Sequence, residues 1–93
     1  MKQQTVHVRI EGRVQGVYFR AWTVENARRL NLNGWVQNRR DGDVEAVFSG
    51  DQEAVATMLG LCEDGPRDAV VTSVRIVSEG GAAPDGFSVR PTL

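Results

Sequence analysis

The chain has 93 residues, 41% of them hydrophobic, which suits one small domain over residues 1–93 and leaves no room for a second core. Eleven basic and twelve acidic residues give a formal net charge of -1, so the composition favours neither nucleic acid nor an anionic membrane as a partner. One cysteine excludes an intramolecular disulfide, and one cysteine with one histidine is too small a set for a structural zinc site.

The first two elements are indicated by a change in hydrophobic spacing. Apolar and polar residues alternate over 5–11, which predicts a strand with one buried face. His7 lies on the polar face of that strand, and we interpret it as a solvated residue. Over 20–31 the apolar residues recur at intervals of three and four, which predicts a helix. Asn31 suits a left-handed cap at its end.

A hairpin and a second helix follow. Strands are predicted at 35–39 and 44–49, paired antiparallel, because the Asp-Gly pair at 41–42 can supply the positive φ angles of a tight turn. Asp51 is a good N-cap for the second helix. The Gly-Pro pair at 65–66 then ends that helix.

The last third predicts a strand over 70–78, a surface loop over 79–86 and a short strand over 87–90. Valines on both faces of 70–78 indicate a central place in the sheet. The order of elements predicts an α+β fold of the ferredoxin-like, split βαβ type, a sandwich with two helices on one face of an antiparallel sheet. Four large residues are expected to fill the core: Trp22, Trp35, Phe48 and Phe87.

The segment between the first strand and the first helix has the features of an anion site. Its sequence over 12–20 is Gly-Arg-Val-Gln-Gly-Val-Tyr-Phe-Arg, and glycines let backbone N–H groups turn inward. A helix N-terminus adds partial positive charge, and the Arg20 guanidinium can hold two phosphate oxygens. Because a cation in the first turn opposes the helix dipole, its placement indicates an anionic partner. Asn38 offers a neutral amide, although taken alone it fits a residue beside a hairpin turn better than a site residue.

Other phosphate chemistries lack their residues in this chain. The P-loop and dinucleotide-binding patterns are absent, so nucleotide binding is unsupported. The place six residues before Arg20 holds Val14 rather than a nucleophilic cysteine. His7 is the one candidate base for a catalytic triad, and the acidic residues are too scattered for a two-metal site. We therefore expect chemistry without a metal or cofactor.

The motif at 12–20, followed in order by segments at 34–38 and 41–46, resembles the acylphosphatase family, enzymes that hydrolyse carboxyl-phosphate anhydrides. The resemblance spans nearly the whole chain, to the Gly-Phe-Ser-Val run at 86–89. It implies the same ferredoxin-like fold, with sheet order 4-1-3-2 and the short fifth strand at an edge. It also implies a metal-independent enzyme, and since the sequence has no signal peptide or transmembrane stretch, we expect a cytoplasmic monomer.

The resemblance further assigns roles to site residues. Five backbone N–H groups are implied to surround the phosphate: those of Gln15, Gly16, Val17, Tyr18 and Phe19. Arg20 is implied to bind it through the guanidinium, and Asn38 to hold the attacking water. An acyl phosphate has a carboxylate leaving group that departs without a proton, so no general acid is required. The phosphate itself would accept the proton of the water.

Some alternatives stay open from the sequence. A noncatalytic ferredoxin-like module that binds a small anion or a protein is one, since this fold hosts many functions. An RNA-binding sheet and a carbamoyl-phosphate domain of larger maturation proteins have less support. The Tyr18 ring could border the acyl group or lean on the helix. The paired arginines at 28–29 and 39–40 are interpreted as solvated surface.

Overall fold

The computed structural model describes residues 2–93, and it contains the predicted βαββαβ order with a short terminal strand. The elements are β1 (Gln3–Arg13), α1 (Phe19–Arg29), β2 (Asn33–Asn38), β3 (Val44–Asp51), α2 (Gln52–Asp64), β4 (Val70–Glu79) and β5 (Phe87–Val89). Each predicted element is present, with ends that differ by a few residues. Neither helix in this range has the length and apolar character needed to cross a membrane.

The five strands form one sheet in the order β4-β1-β3-β2-β5. The predicted order 4-1-3-2 is confirmed, and the fifth strand does lie at an edge. β1 pairs antiparallel with β3 and β4, and β2 pairs antiparallel with β3. β5 runs parallel to β2, so the sheet contains one parallel pair among antiparallel ones.

β4 forms the other edge of the sheet, and the prediction of a central place for it was wrong. The β1–β4 register shifts between Glu11 and Gly12, which places Val71 opposite Gly12 and Val74 opposite Ile10. A bulge of this kind lets Val71 and Val74 both pack against the core, although they are three residues apart. Valines at odd and even positions therefore do not mean that both faces are covered.

The core lies between the sheet and the two helices. The alternating residues of β1 that were predicted to share a buried face are fully buried: Val6, Val8 and Ile10. Phe48 and Phe87 stack with ring centroids 5.5 Å apart, as expected of core residues. Trp22 packs against this core from α1, but Trp35 lies on the helix-free face of the sheet, 5.8 Å from the His7 ring.

Both helices end at residues with left-handed backbone. Asn31 has φ 58°, and the Leu32 N–H donates to the Ala27 carbonyl at 2.9 Å, as in a Schellman motif. The predicted cap at Asn31 is therefore confirmed. α2 begins after Asp51, as predicted, although that side chain makes no capping hydrogen bond. Gly65, with φ 69°, ends α2.

The turn between β2 and β3 differs from the predicted two-residue type. The Arg39 N–H donates to the Asp43 carbonyl at 2.8 Å, and the Gly42 N–H donates to the Arg39 carbonyl at 3.1 Å. Of the Asp-Gly pair, Gly42 alone has a positive φ, 102°, whereas Asp41 does not. The three residues enclosed fit the longer hairpin with a glycine in the last loop position. We call residues 39–43 the hairpin turn.

Three polar residues expected to be solvated make hydrogen bonds or ion pairs with other elements of the fold. His7 Nε2 lies 2.5 Å from Glu45 Oε2, so the interpretation of His7 as simply solvated was wrong. Arg39 pairs with the same carboxylate at 3.3 Å, and Arg28 Nη2 donates to the Phe87 carbonyl at 3.0 Å. These partners lie on other strands, so the local pattern around each residue gives no sign of them.

Candidate active site

The loop between β1 and α1, residues 14–18, has a backbone suited to anions. Gly16 has φ 74° and Tyr18 has φ 69°, so two left-handed residues alternate with Val17. Such alternation turns successive N–H groups toward one side and forms a nest. A left-handed non-glycine residue costs on the order of 1–2 kcal/mol, and such residues cluster at functional sites. The conformation of Tyr18 therefore points to a use for this loop.

The partial positive charge at the N-terminus of α1 is not offset by a capping or acidic side chain in its first turn. Tyr18 is the N-cap, no side chain caps the first turn, and that turn contains no acidic residue. Arg20 instead adds a full positive charge there, and its side chain is exposed. Within residues 2–93 Arg20 forms no ion pair. Helix end and guanidinium together favour a bound anion.

A pocket of about 270 Å³ opens at this loop, and we call it the loop pocket. It is lined by Val14, Gln15, Gly16, Tyr18, Phe19, Arg20, Ala21, Asn38 and Val89. Arg20 and Asn38, which the sequence places far apart, therefore share one pocket. Val17 is the predicted site residue that does not line it, because its side chain is buried in the core.

Asn38 is a buried residue that contributes to the lining of the loop pocket. The residue is 9% exposed, and its Oδ1 is buried without a hydrogen-bond partner in residues 2–93. Its backbone is held, since the carbonyl accepts from the Leu93 N–H at 3.1 Å. A buried acceptor without a partner is uncommon, since it costs about 1–3 kcal/mol.

The side chain of Gln15 makes contacts that sequence reasoning missed. Its Nε2 donates to the Arg39 carbonyl at 2.7 Å and to the Asp43 carbonyl at 2.8 Å. Both acceptors are backbone atoms of the hairpin turn, and a backbone carbonyl leaves no residue-specific signal in the sequence. Gln15 was predicted for its main chain alone.

Tyr18 leans on α1, one of the two possibilities that the sequence left open, and it also lines the loop pocket. Its hydroxyl donates to Glu25 Oε1 at 3.0 Å, so the ring leans on α1, and this bond raises the pKa of the phenol above its ordinary value. The side chain is 64% exposed and also lines the loop pocket. Val89, brought there by the parallel β2–β5 pair, was missed by sequence reasoning.

Comparison with known proteins agrees with this architecture. The family model described as Acylphosphatase matches residues 6–89. A protein of Rhodospirillum rubrum named acylphosphatase is 52% identical over 92 residues, covering 97% of this chain and 99% of the relative. The fold and these matches thus define a ferredoxin-like hydrolase domain. The chain belongs to the acylphosphatase family.

Two solved structures extend the comparison. An acylphosphatase from Coxiella burnetii is 36% identical, with a TM-score of 0.86 over 95% of this chain and 93% of that one. An acylphosphatase from Bacillus subtilis is 31% identical, with a TM-score of 0.87 over 96% of this chain and 99% of that one. The ferredoxin-like fold and the family resemblance read from the sequence are therefore confirmed.

Proposed function

We propose that the protein hydrolyses small acyl phosphates to a carboxylate and inorganic phosphate in the loop pocket. The backbone nest and Arg20 bind the phosphoryl group, and Asn38 holds the attacking water. One observation carries the proposal: Arg20, which is exposed and forms no ion pair within residues 2–93, and Asn38 belong to the lining of the same pocket. The guanidinium matches the charge of the phosphate, and the Asn38 amide can hydrogen-bond a water.

The chemistry follows from these two groups. The side-chain amide of Asn38 hydrogen-bonds the water and orients it, which directs an oxygen lone pair at phosphorus. A bond forms between the water oxygen and phosphorus while the bond from phosphorus to the acyl oxygen breaks. The electron pair leaves with the carboxylate, and a phosphoryl oxygen takes the proton of the water. Arg20 and the nest offset the negative charge on the phosphoryl oxygens throughout.

We propose that this reaction needs no metal or cofactor. Among residues 2–93, no group of three or more His, Cys, Asp and Glu side chains is placed to hold a metal ion. The charge that a metal would offset is matched here by Arg20, the α1 N-terminus and the nest. We also propose a cytoplasmic monomer that does not bind nucleic acid: the net charge of -1 gives no general attraction for nucleic acid, and the free buried thiol suits a reducing compartment.

The test is phosphate release from acetyl phosphate and benzoyl phosphate in excess chelator. We expect Arg20→Ala and Asn38→Ala each to lower kcat/KM by about a hundredfold or more, since each removes a group that acts on the reacting phosphate or water. Arg29→Ala, an exposed arginine on the same helix, is the matched control and should be unchanged. Circular dichroism checks that each variant is folded. Folded Arg20→Ala or Asn38→Ala with wild-type rates would overturn the mechanism.

Phosphate binding by the wild type without turnover would instead support the noncatalytic anion-binding module. Activity that disappears with chelator and returns with an added metal would overturn metal independence while leaving the reaction class intact. The two results are separable because the first is measured as a phosphate dissociation constant and the second as a rate.

A further inference from the structure

We propose that the side chain of Gln15 is a positioning residue that fixes the separation between the bound phosphate and the water on Asn38. The inference rests on the proposed function. It concerns a side chain, whereas the family resemblance gives Gln15 a role through its backbone N–H alone. The observation that carries it is the pair of hydrogen bonds from Gln15 Nε2 to the hairpin turn, at 2.7 and 2.8 Å.

Gln15 is the one residue that belongs to both halves of the site. Its main chain begins the segment that curves through Gly16 and Tyr18 into α1. Its side chain ends on the carbonyl of Arg39, the residue bonded directly to Asn38. Gln15 therefore links the nest, through its main chain, to the end of β2 that carries Asn38, through its side chain.

The geometry of the acceptors makes this link stiff. The Arg39 and Asp43 carbonyls also accept backbone N–H groups within the turn, from Gly42 and Arg39 respectively. Each carbonyl therefore uses both of its lone pairs, and both protons of the Gln15 amide are engaged. A single amide bound at two points cannot swing without breaking a hydrogen bond. The hairpin turn consequently moves together with the nest.

The opposite side of the hairpin turn is held as well. Arg9 of β1 donates from Nη2 to Asp41 Oδ2 at 2.5 Å and to Asp43 Oδ2 at 3.0 Å. These bonds hold the side chains of the turn, whereas Gln15 holds its backbone. Arg9 does not line the loop pocket, so of these two side chains it is Gln15 that connects the hairpin turn to the loop of the nest.

The proposal predicts a defect in turnover rather than in phosphate affinity. Gln15→Met keeps the length of the side chain and removes both donors, while the nest and Arg20 stay in place. We expect kcat for acetyl phosphate to fall by about tenfold to a hundredfold, because small misplacements of reacting groups cost this much. The inhibition constant of inorganic phosphate should stay within about twofold of the wild type. Gln52→Met, on the exposed start of α2, is the matched control and should change neither quantity.

A second variant keeps the test decisive if Gln15→Met folds poorly. Gln15→Glu has nearly the same shape but accepts hydrogen bonds when ionised and donates one when protonated. Its kcat relative to the wild type should therefore rise as the pH falls toward the carboxyl range, a recovery that a purely structural role would not produce. Gln52→Glu should show no such recovery.

The outcomes separate this inference from the proposed function. A wild type without acylphosphatase activity overturns the proposed function, and this inference with it. An active wild type with Gln15→Met turning over at the wild-type rate overturns the positioning role alone. Parallel loss of turnover and phosphate affinity also overturns it, since Gln15 would then act on phosphate binding. Loss of turnover with phosphate affinity kept supports it.

Discussion

The His7 ring and the Glu45 carboxylate are hydrogen-bonded across the helix-free face of the sheet, with Nε2 and Oε2 2.5 Å apart. The other oxygen of Glu45 accepts from Gln37 Nε2 at 2.6 Å. Burial alone would raise the pKa of Glu45, but the hydrogen bonds from Gln37 and His7 and the charges of His7 and Arg39 outweigh it. The pKa of this carboxyl therefore lies below its ordinary value.

This relationship predicts an acid-sensitive contribution to stability. Because the pKa of Glu45 is lower in the folded than in the unfolded chain, its contribution is present above the ordinary value of 4.5 and is lost as the pH falls through the folded pKa. Glu45→Gln should cost about 1–2 kcal/mol of unfolding free energy at neutral pH and much less near about pH 3. Urea titrations of both proteins across this range measure the difference. A difference that does not change with pH would contradict the assignment.

The left-handed cap of α1 predicts opposite effects for two substitutions at Asn31. Its φ of 58° suits glycine better than asparagine, so Asn31→Gly should raise the unfolding free energy by a few tenths to about 1 kcal/mol. Asn31→Ala, which adds the steric cost of a left-handed residue, should lower it by about 1 kcal/mol. Equilibrium urea denaturation of the two variants checks the sign, and destabilisation by Asn31→Gly would be inconsistent with this cap.

Close backbone contact makes Gly34 irreplaceable. It has φ 136°, and a Cβ built there would lie 1.9 Å from the Val47 carbonyl oxygen on the paired strand. Gly34→Ala should therefore destabilise the protein by about 3 kcal/mol or more. Gly60→Ala is the control, since it lies in α2 with open space around it and should stabilise by up to about 1 kcal/mol. Thermal unfolding monitored by circular dichroism distinguishes the pair.

The single thiol is predicted to be inert in the folded protein. Cys62 is fully buried in α2, and burial raises the pKa of its thiol to about 12. A thiol reagent should therefore react at a rate limited by unfolding, and at once when the chain is denatured in urea. With a reagent that releases a coloured thiolate when it reacts, absorbance follows the labelling of Cys62 in both the native and the denatured protein. Rapid labelling of Cys62 in native buffer would contradict the buried position.

Local structure could be predicted from the sequence, whereas cross-strand contacts could not. Alternation in β1 and the cap at Asn31 depend on near neighbours, and both are confirmed. The Glu45 partner of His7 depends on strand pairing, which a local pattern does not specify. The bulge that turns Val71 inward likewise depends on the register with β1, so the valine pattern of β4 wrongly indicated a central strand.

The features of the candidate site also separate into those visible in a local motif and those that depend on the tertiary structure. The backbone turn at Gly16 and the charge of Arg20 are visible in one short motif, and so a candidate anion loop could be proposed from residues alone. Asn38 entered through the family resemblance, since asparagine beside a hairpin has an ordinary explanation. The side-chain contacts of Gln15 needed the hairpin turn to be placed beside the loop, which only the tertiary structure supplies.

Gln15 holds the hairpin turn, whereas Ala21 and Val89 line the loop pocket without a hydrogen bond to that turn. A directed-evolution library aimed at a bulkier acyl group therefore has two positions to diversify that leave the nest and the Gln15 hydrogen bonds intact. The choice of acyl group and the proposed reaction geometry can therefore be engineered separately, because they depend on different residues.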